Sequence, residues 1–171
     1  MKSKLVKIKM ILMDVDGVLT DGGIIYTSSG DELKIFNVQD GMGITLARMG
    51  GLKTGIITGR NSELVRRRAE ELNFDIVSQG SFDKLGPYRD IKKQFNLKDE
   101  EICYIGDDVL DLSILNRVGF SVAVSNARDE VKAACDYITD ARGGNGAVRE
   151  VIDKILKRQE KLHNLIEELS K

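Results

Sequence analysis

An unbroken apolar run, Met10-Ile-Leu-Met13, that ends in Asp14-Val15-Asp16-Gly17 is the strongest constraint on what this chain folds into. A run without polar alternation reads as a strand covered on both faces, the condition of a parallel sheet flanked by helices. Side chains alternate along a strand, so Asp14 and Asp16 should share one side while Val15 points away. Gly17 lets the chain turn sharply, which leaves both carboxylates at the carboxyl end of a central strand, where open α/β sheets keep their ligands. Two acids facing the same way repel each other unless a cation lies between them, so the stretch implies a reaction centre.

The rest of the chain supplies the sheet such a strand needs. The first strand is expected over Leu5 to Met13. Gly22-Gly-Ile-Ile-Tyr-Thr27 and Glu32-Leu-Lys-Ile-Phe-Asn-Val38 flank Ser28-Ser-Gly-Asp31, the pattern of a protruding β-hairpin over about 22–38. Asp40 can cap a helix running to Met49, closed by Gly50-Gly51, and a second apolar strand, Lys53 to Thr58, ends in Thr58-Gly59-Arg60. Asn61 caps a helix to about Asn73, with Leu64, Val65, Ala69 and Leu72 at helical spacing, and a strand follows at Asp75 to Ser78. Lys84 falls in a loop or in the first turn of a helix that starts close to Pro87, the only proline.

Further strands are expected at Glu101 to Ile105, Phe120 to Ser125 and Tyr137 to Thr139, with helices to about Val118 and over Asp129 to Ala134 between them. A Gly-rich loop and a helix occupy about 142–171, and Val148, Val151, Ile152, Ile155, Leu156, Leu162, Leu165, Ile166 and Leu169 share one face of that helix. Strand and helix alternate throughout, which predicts an α/β fold, a doubly wound parallel sheet in a single domain over 1–171.

The 26 basic and 27 acidic residues leave a net charge of −1, which removes any chain-wide electrostatic case for nucleic acid or an anionic membrane and leaves a small molecule as the expected partner. Cys103 and Cys135 lack a CxxC or other ligand spacing, which argues against a disulfide framework and a zinc site and for a reducing, cytoplasmic setting. Lysines interrupt the apolar residues at the start, so no signal segment is expected there.

Asp14 and Asp16, Thr58, Lys84, and Asp107 with Asp108 each fall just past an expected strand, so one edge of the sheet should gather them. Asp14, Asp16 and Asp107 are the expected metal ligands, supported by Asp108, and an all-oxygen set without His or Cys suits Mg²⁺ better than Zn²⁺. At about 4 Å and an effective dielectric near 20, each pair of unit charges is worth about 4 kcal/mol, so a phosphate could join these acids only with Mg²⁺ and Lys84 present. A carboxylate nucleophile beside a second carboxylic acid suggests phosphoryl transfer in two steps. Asp14 would attack phosphorus and form an aspartyl-phosphate while Asp16 protonates the leaving oxygen. Asp16 would then activate water, with Thr58, the Gly59 amide and Lys84 on the equatorial oxygens.

These residues resemble the four ordered motifs of the haloacid dehalogenase superfamily of phosphatases: Asp14-Val-Asp16-Gly-Val-Leu-Thr20, Ile57-Thr58-Gly59-Arg60, Lys84, and Gly106-Asp107-Asp108. The short interval between Asp16 and Thr58, partly filled by the hairpin, leaves no room for a mobile cap domain. Within that superfamily the chain is similar to the 3-deoxy-D-manno-octulosonate 8-phosphate phosphatases. The segments that carry this are Asp31-Glu-Leu-Lys-Ile-Phe-Asn-Val-Gln-Asp-Gly41, Ile56-Ile-Thr-Gly-Arg60, Gln79-Gly80 and Gly143-Gly-Asn-Gly-Ala-Val-Arg-Glu150. The resemblance implies Mg²⁺, a role in lipopolysaccharide precursor synthesis, and a homotetramer whose hairpins meet at its centre and whose C-terminal loops reach a neighbour's active site. It also implies that Arg60 binds the substrate's carboxylate, with a sialic-acid-type 9-phosphate as the alternative substrate.

Several features have plainer readings. Asp111, one turn into a helix, suits a cap or surface position as well as a functional one. The Gly143-to-Gly146 loop is either a phosphate-binding turn or a latch, and the resemblance favours the latch. Arg66, Arg67 and Arg68 point in different directions on a helix, so none is singled out; His163 belongs to the surface or to packing, and Cys103 to the core. A phospho-aspartate receiver also combines acids, a Thr and a Lys, but there the phosphorylated aspartate follows a middle strand and Asp16 would have no use. A silent scaffold has no need of the intact set.

Overall fold

The computed structural model describes residues 2–171. Its main sheet has six strands, all parallel: β1 (Met10–Met13), β4 (Lys53–Ile57), β5 (Ile76–Ser78), β6 (Ile102–Gly106), β7 (Phe120–Ala123) and β8 (Tyr137–Ile138), in the order β5-β4-β1-β6-β7-β8. The chain winds outward from β1 through β4 to β5, then returns to β6 and winds the other way. The crevice between β1 and β6 is therefore the point where the strand order reverses, and the loops leaving both strands open into it. Every residue of β1 and β6 is buried, as expected for strands covered on both faces, whereas the edge strands β5 and β8 are partly exposed.

Helices α2 (Val38–Met49) and α3 (Glu63–Glu71) connect β1 through β4 to β5, and α4 (Leu85–Gln94), α5 (Leu112–Leu115) and α6 (Asp129–Ala134) connect β5 through β6 and β7 to β8; right-handed crossovers, the rule for parallel strands, assign the two sets to opposite faces. The long α7 (Ala147–Arg158) packs on α2, and α5 packs on both α4 and α6. Between β1 and β4 lie only α2 and a hairpin, β2 (Ile25–Tyr26) with β3 (Glu32–Leu33), so the fold has no cap domain. Among the described residues no helix is long and apolar enough to cross a membrane.

Five expectations are corrected. Leu5 does not begin β1: Lys2–Lys7 form a short helix, α1, because Leu5 and Ile8 are an i, i+3 pair that turns inward against α7. The side-chain amide of Gln159 donates to the carbonyls of Leu5 and Ile8 at 3.1 and 2.8 Å, which ties off the end of that helix.

The single terminal helix is two, α7 and α8 (Leu162–Leu169), broken at Glu160, whose φ of 58° is left-handed. The break lets Leu165 fold back onto the core while Ile166 and Leu169 stay exposed. The hairpin strands are only two residues each, since no layer covers them and Ile24, Tyr26 and Ile35 remain exposed.

Asp40 does not cap α2, which Asn37 caps by accepting from the Gln39 amide at 2.7 Å. Instead the buried Asp40 carboxylate accepts from the amides of Gly146 and Arg149, at 3.2 and 2.9 Å, and caps α7 from across the helix pair. Ser62, not Asn61, likewise precedes α3.

Candidate active site

Asp14 is the first residue past β1, and its amide still donates to the Ile105 carbonyl of β6 at 3.1 Å, so the sheet ladder fixes its backbone. The amides of Val18, Leu19 and Thr20 then all converge on the Val15 carbonyl, at 2.9 to 3.1 Å, and wind the chain into a tight turn. Gly17 is obligatory in that turn: its φ is +92°, and a Cβ there would come within 2.0 Å of Asp107 Oδ2.

The Gly-rich loop packs on this same turn. Gly144 donates its amide to the Val18 carbonyl at 2.9 Å, and a Cβ on Gly143 would overlap the Gly17 carbonyl at 1.7 Å. Its glycines thus serve close packing of the loop on the turn that carries Asp16. Asn126 ties the two together, accepting from the Gly143 amide at 2.6 Å and donating to the Gly17 carbonyl at 3.3 Å.

All eight residues expected at the site, Asp14, Asp16, Thr58, Gly59, Arg60, Lys84, Asp107 and Asp108, line one cleft of about 240 Å³, together with Phe82, Leu110 and Asp111. Thr58 follows β4 and Lys84 immediately precedes α4, with Pro87 in the helix's first turn. Lys84 Nζ reaches Asp14 Oδ2 at 2.9 Å and Asp111 Oδ1 at 2.7 Å, all three side chains being nearly or fully buried. Burial alone would pull the lysine's pKa down, but the charges of Asp111 and Asp14 outweigh it, so the ammonium is held above its ordinary value.

The plainer reading of Asp111 as a surface residue fails, because its side chain is fully buried. Oδ2 accepts from the amides of Asp107 and Asp108, at 3.0 and 3.2 Å, and Oδ1 accepts from Tyr104 Oη and Lys84 Nζ, each at 2.7 Å. It fixes both the lysine and the loop after β6. The spacing Asp107-Asp108-Val-Leu-Asp111 was the available signal, since one tight turn brings the last acid back under the first two amides.

Carboxylate oxygens of Asp14, Asp107 and Asp111 lie within 4.8 Å of one another. The expected metal set named Asp16 in place of Asp111. The Asp16 side chain leaves the cluster because it lies beyond β1, inside the turn, where strand alternation no longer applies. Its Oδ1 instead accepts from Lys34 Nζ, a hairpin lysine whose side chain is 2% exposed. Glu32 lies 3.6 Å from the same ammonium and accepts from Arg60 at 2.6 Å. Glu32 and Lys34 were not singled out from the sequence, although their i, i+2 spacing on a strand is the signal that puts them on one side.

Three carboxylates around one ammonium leave an excess of negative charge, and two of the acids register it. Burial first, then the charge of Asp111 against the partial relief from Lys84, pushes Asp14 up to about 6. Burial first, then Asp14 and Asp111, pushes Asp107 up to about 7. Asp107 Oδ1 is buried without a hydrogen-bond partner among the described residues. An orphaned buried carboxylate oxygen amid oxygen-only donors fits a hard divalent cation such as Mg²⁺.

Arg66, Arg67 and Arg68 pair with Glu63, Glu70 and Glu71 along α3, and His163 is an exposed partner of Glu167 on α8. Cys103 is buried in β6.

A haloacid dehalogenase-like hydrolase family profile matches residues 73–152. The 3-deoxy-D-manno-octulosonate 8-phosphate phosphatase of Escherichia coli K12 is 41% identical over 160 residues, which span 94% of this chain and 85% of the relative. Among solved structures, the phosphatase of that name from Moraxella catarrhalis, in complex with magnesium ion, phosphate ion and KDO, superposes with a TM-score of 0.96 at 43% identity, over 98% of this chain and 97% of the other. The one from Yersinia pestis gives a TM-score of 0.93 at 40% identity, over 95% and 88% of the two chains. Taken with the cleft at the β1/β6 crevice, these likenesses show that the chain belongs to the 3-deoxy-D-manno-octulosonate 8-phosphate phosphatase family of haloacid dehalogenase-like hydrolases.

Proposed function

We propose that this chain is a Mg²⁺-dependent phosphatase that converts 3-deoxy-D-manno-octulosonate 8-phosphate to the free sugar acid and phosphate, with Asp14 as nucleophile and Asp16 as acid and base. The observation that carries the reading is the buried Asp14 carboxylate, held at 2.9 Å by Lys84 beside the orphaned oxygen of Asp107. Asp14 and Asp107 would hold Mg²⁺, which when bound offsets their charge and that of the substrate phosphate. The Asp16 carboxylate, in contact with Lys34 through Oδ1, would serve the leaving oxygen through Oδ2.

In the first step an Asp14 oxygen forms a bond to phosphorus as the ester P–O bond breaks, and the Asp16 proton goes to the departing sugar oxygen. In the second, Asp16 takes a proton from water as that water attacks the aspartyl-phosphate and releases the Asp14 carboxylate. Lys84, fixed by Asp111, meets the equatorial oxygens with Thr58 and the Gly59 amide, and Asp108 supports the loop that presents Asp107.

Arg60 gives the substrate preference. Its guanidinium rests on Glu32, and a substrate carboxylate would take Glu32's place. A charge-assisted pair of this kind is worth roughly 10- to 100-fold in discrimination. The expected kcat/KM for 3-deoxy-D-manno-octulosonate 8-phosphate therefore exceeds that for hexose phosphates, which lack the carboxylate, by that factor. Equal values across the panel would remove the narrow substrate while leaving the phosphatase reading.

Residues 1–171 act as one catalytic domain in this account, supported by the packing of α1 and α7 from opposite ends of the chain. A homotetramer with shared active sites is supported by the apolar face that Ile24, Tyr26 and Ile35 leave on the hairpin, and by exposed Phe82 and Leu110 at the cleft's rim. Light scattering should give the mass of a tetramer, and Ile35→Asp should shift it toward smaller species; a monomeric wild type would contradict the assembly. The two free cysteines, one buried and one half-buried, favour a reducing compartment such as the cytoplasm.

A further inference from the structure

From the hairpin's contact with the reaction centre, we infer that Lys34 is a positioning residue that orients the Asp16 carboxylate for proton transfer to the leaving oxygen. The hairpin is held by few strand hydrogen bonds, since its paired segments are two residues long and their apolar side chains face outward. Lys34 is the exception: its side chain is only 2% exposed, and its ammonium lies on Asp16 Oδ1 with Glu32 at 3.6 Å. Two charged contacts therefore join the hairpin to the site, Lys34 to the loop after β1 and Glu32 to Arg60 after β4.

An ammonium has three donors and no acceptor, so an oxygen facing it cannot also present a proton in its direction. With Oδ1 turned to Lys34, Oδ2 is the oxygen that exchanges the proton, and it has no protein donor among the described residues. The carboxylate's rotation is thereby fixed with one oxygen reserved for the leaving group. Holding a general acid in its productive geometry is a large part of what such a group contributes. The proton balance is that of the first step: it leaves Asp16 Oδ2 for the ester oxygen as the P–O bond breaks and the bond to Asp14 forms.

This inference rests on Asp16 being the acid of the proposed reaction, and one experiment separates the two. On the full-length Mg²⁺-loaded enzyme, kcat/KM is measured for a simple alkyl phosphate, whose leaving group needs a proton, and for acetyl phosphate, whose leaving group does not. Neither probe carries a carboxylate for Arg60, so changes in sugar-acid binding do not enter.

Lys34→Met should lower the alkyl phosphate value roughly 10- to 100-fold more than the acetyl phosphate value, because only the former draws on the acid. Lys34→Arg, which keeps a cation, should recover most of the difference. Lys34→Gln carries the same comparison should the Met variant not fold. Asp16→Asn run in parallel should show the same bias more strongly. If Asp16→Asn is biased but the Lys34 variants lower both substrates equally, or neither, Lys34 only fastens the hairpin and the inference is overturned while the acid assignment stands. If Asp16→Asn shows no bias, the acid assignment fails and takes the inference with it.

Discussion

Asp14→Asn should lower phosphatase turnover by at least about 10⁴-fold, the scale of loss when a nucleophile that acts with its partners as a unit is removed. The amide keeps the size of the carboxyl group and can still accept from the Val15 amide, which donates to Asp14 Oδ1 at 2.7 Å. Its –NH₂ would face Lys84 Nζ, now 2.9 Å from Oδ2, donor against donor. Against that loss, the substitution removes a charge that burial and Asp111 already disfavour. These effects oppose each other, so the change in stability should stay within about 2 kcal/mol, and Asp14→Asn protein should show a wild-type circular dichroism spectrum. Retained turnover in folded protein would exclude Asp14 as the nucleophile.

Removing the divalent cation should have the next largest effect, with a pH dependence that identifies the acids involved. Chelation by EDTA is expected to lower activity at least about 10³-fold, since the cation supplies several kcal/mol of charge stabilisation. The linkage to folding follows from the raised acids. Asp14 is pushed from an ordinary 3.8 up to about 6, and Asp107 up to about 7. Without metal, the folded protein therefore binds these protons more tightly than the unfolded chain does. Their contribution to stability is fully present below about 4 and is lost as pH rises through 6 to 7.

A bound cation requires both acids ionised, so its own stabilising effect grows over the same interval. The gain in Tm on replacing EDTA with saturating Mg²⁺ should be at least about 5 °C larger at pH 7.5 than at pH 5, where about 1 kcal/mol corresponds to 2–4 °C in a chain of this size. A gain independent of pH would mean that these two carboxyls do not hold the ion.

The sheet and the gathering of the site were legible in the sequence for the same reason. Buried parallel strands must be apolar throughout, as Met10–Met13 and Ile102–Gly106 are, and the polar residue that ends such a run falls at the carboxyl edge. Two or three residues of local pattern thus place Asp14, Thr58 and Asp107 together. What local pattern could not supply was the identity of each residue's long-range partner.

The alternation Val6-Lys7-Ile8-Lys9-Met10 mimics a strand, and only the packing of α1 on α7 decides for a helix up to Lys7. Asp40 stands where a helix begins, yet it caps another helix more than a hundred residues further on. Asp111 had the composition of a surface acid, and its burial is made tolerable by four donors drawn from β6, the following loop and Lys84. Asp16 was paired with Asp14 by strand alternation, but the turn begins between them and hands Asp16 to the hairpin's Lys34.

The central claim is that phosphate passes through a covalent bond to Asp14. Rapid acid quench of wild-type enzyme during a single turnover, followed by mass measurement of the intact chain and of its peptides, tests it most directly. The expected result is a transient gain of one phosphoryl group on the peptide containing Asp14, absent from Asp14→Asn protein under the same conditions. A phosphoryl group on any other residue, or full turnover with no phosphorylated chain at any quench time, would contradict it.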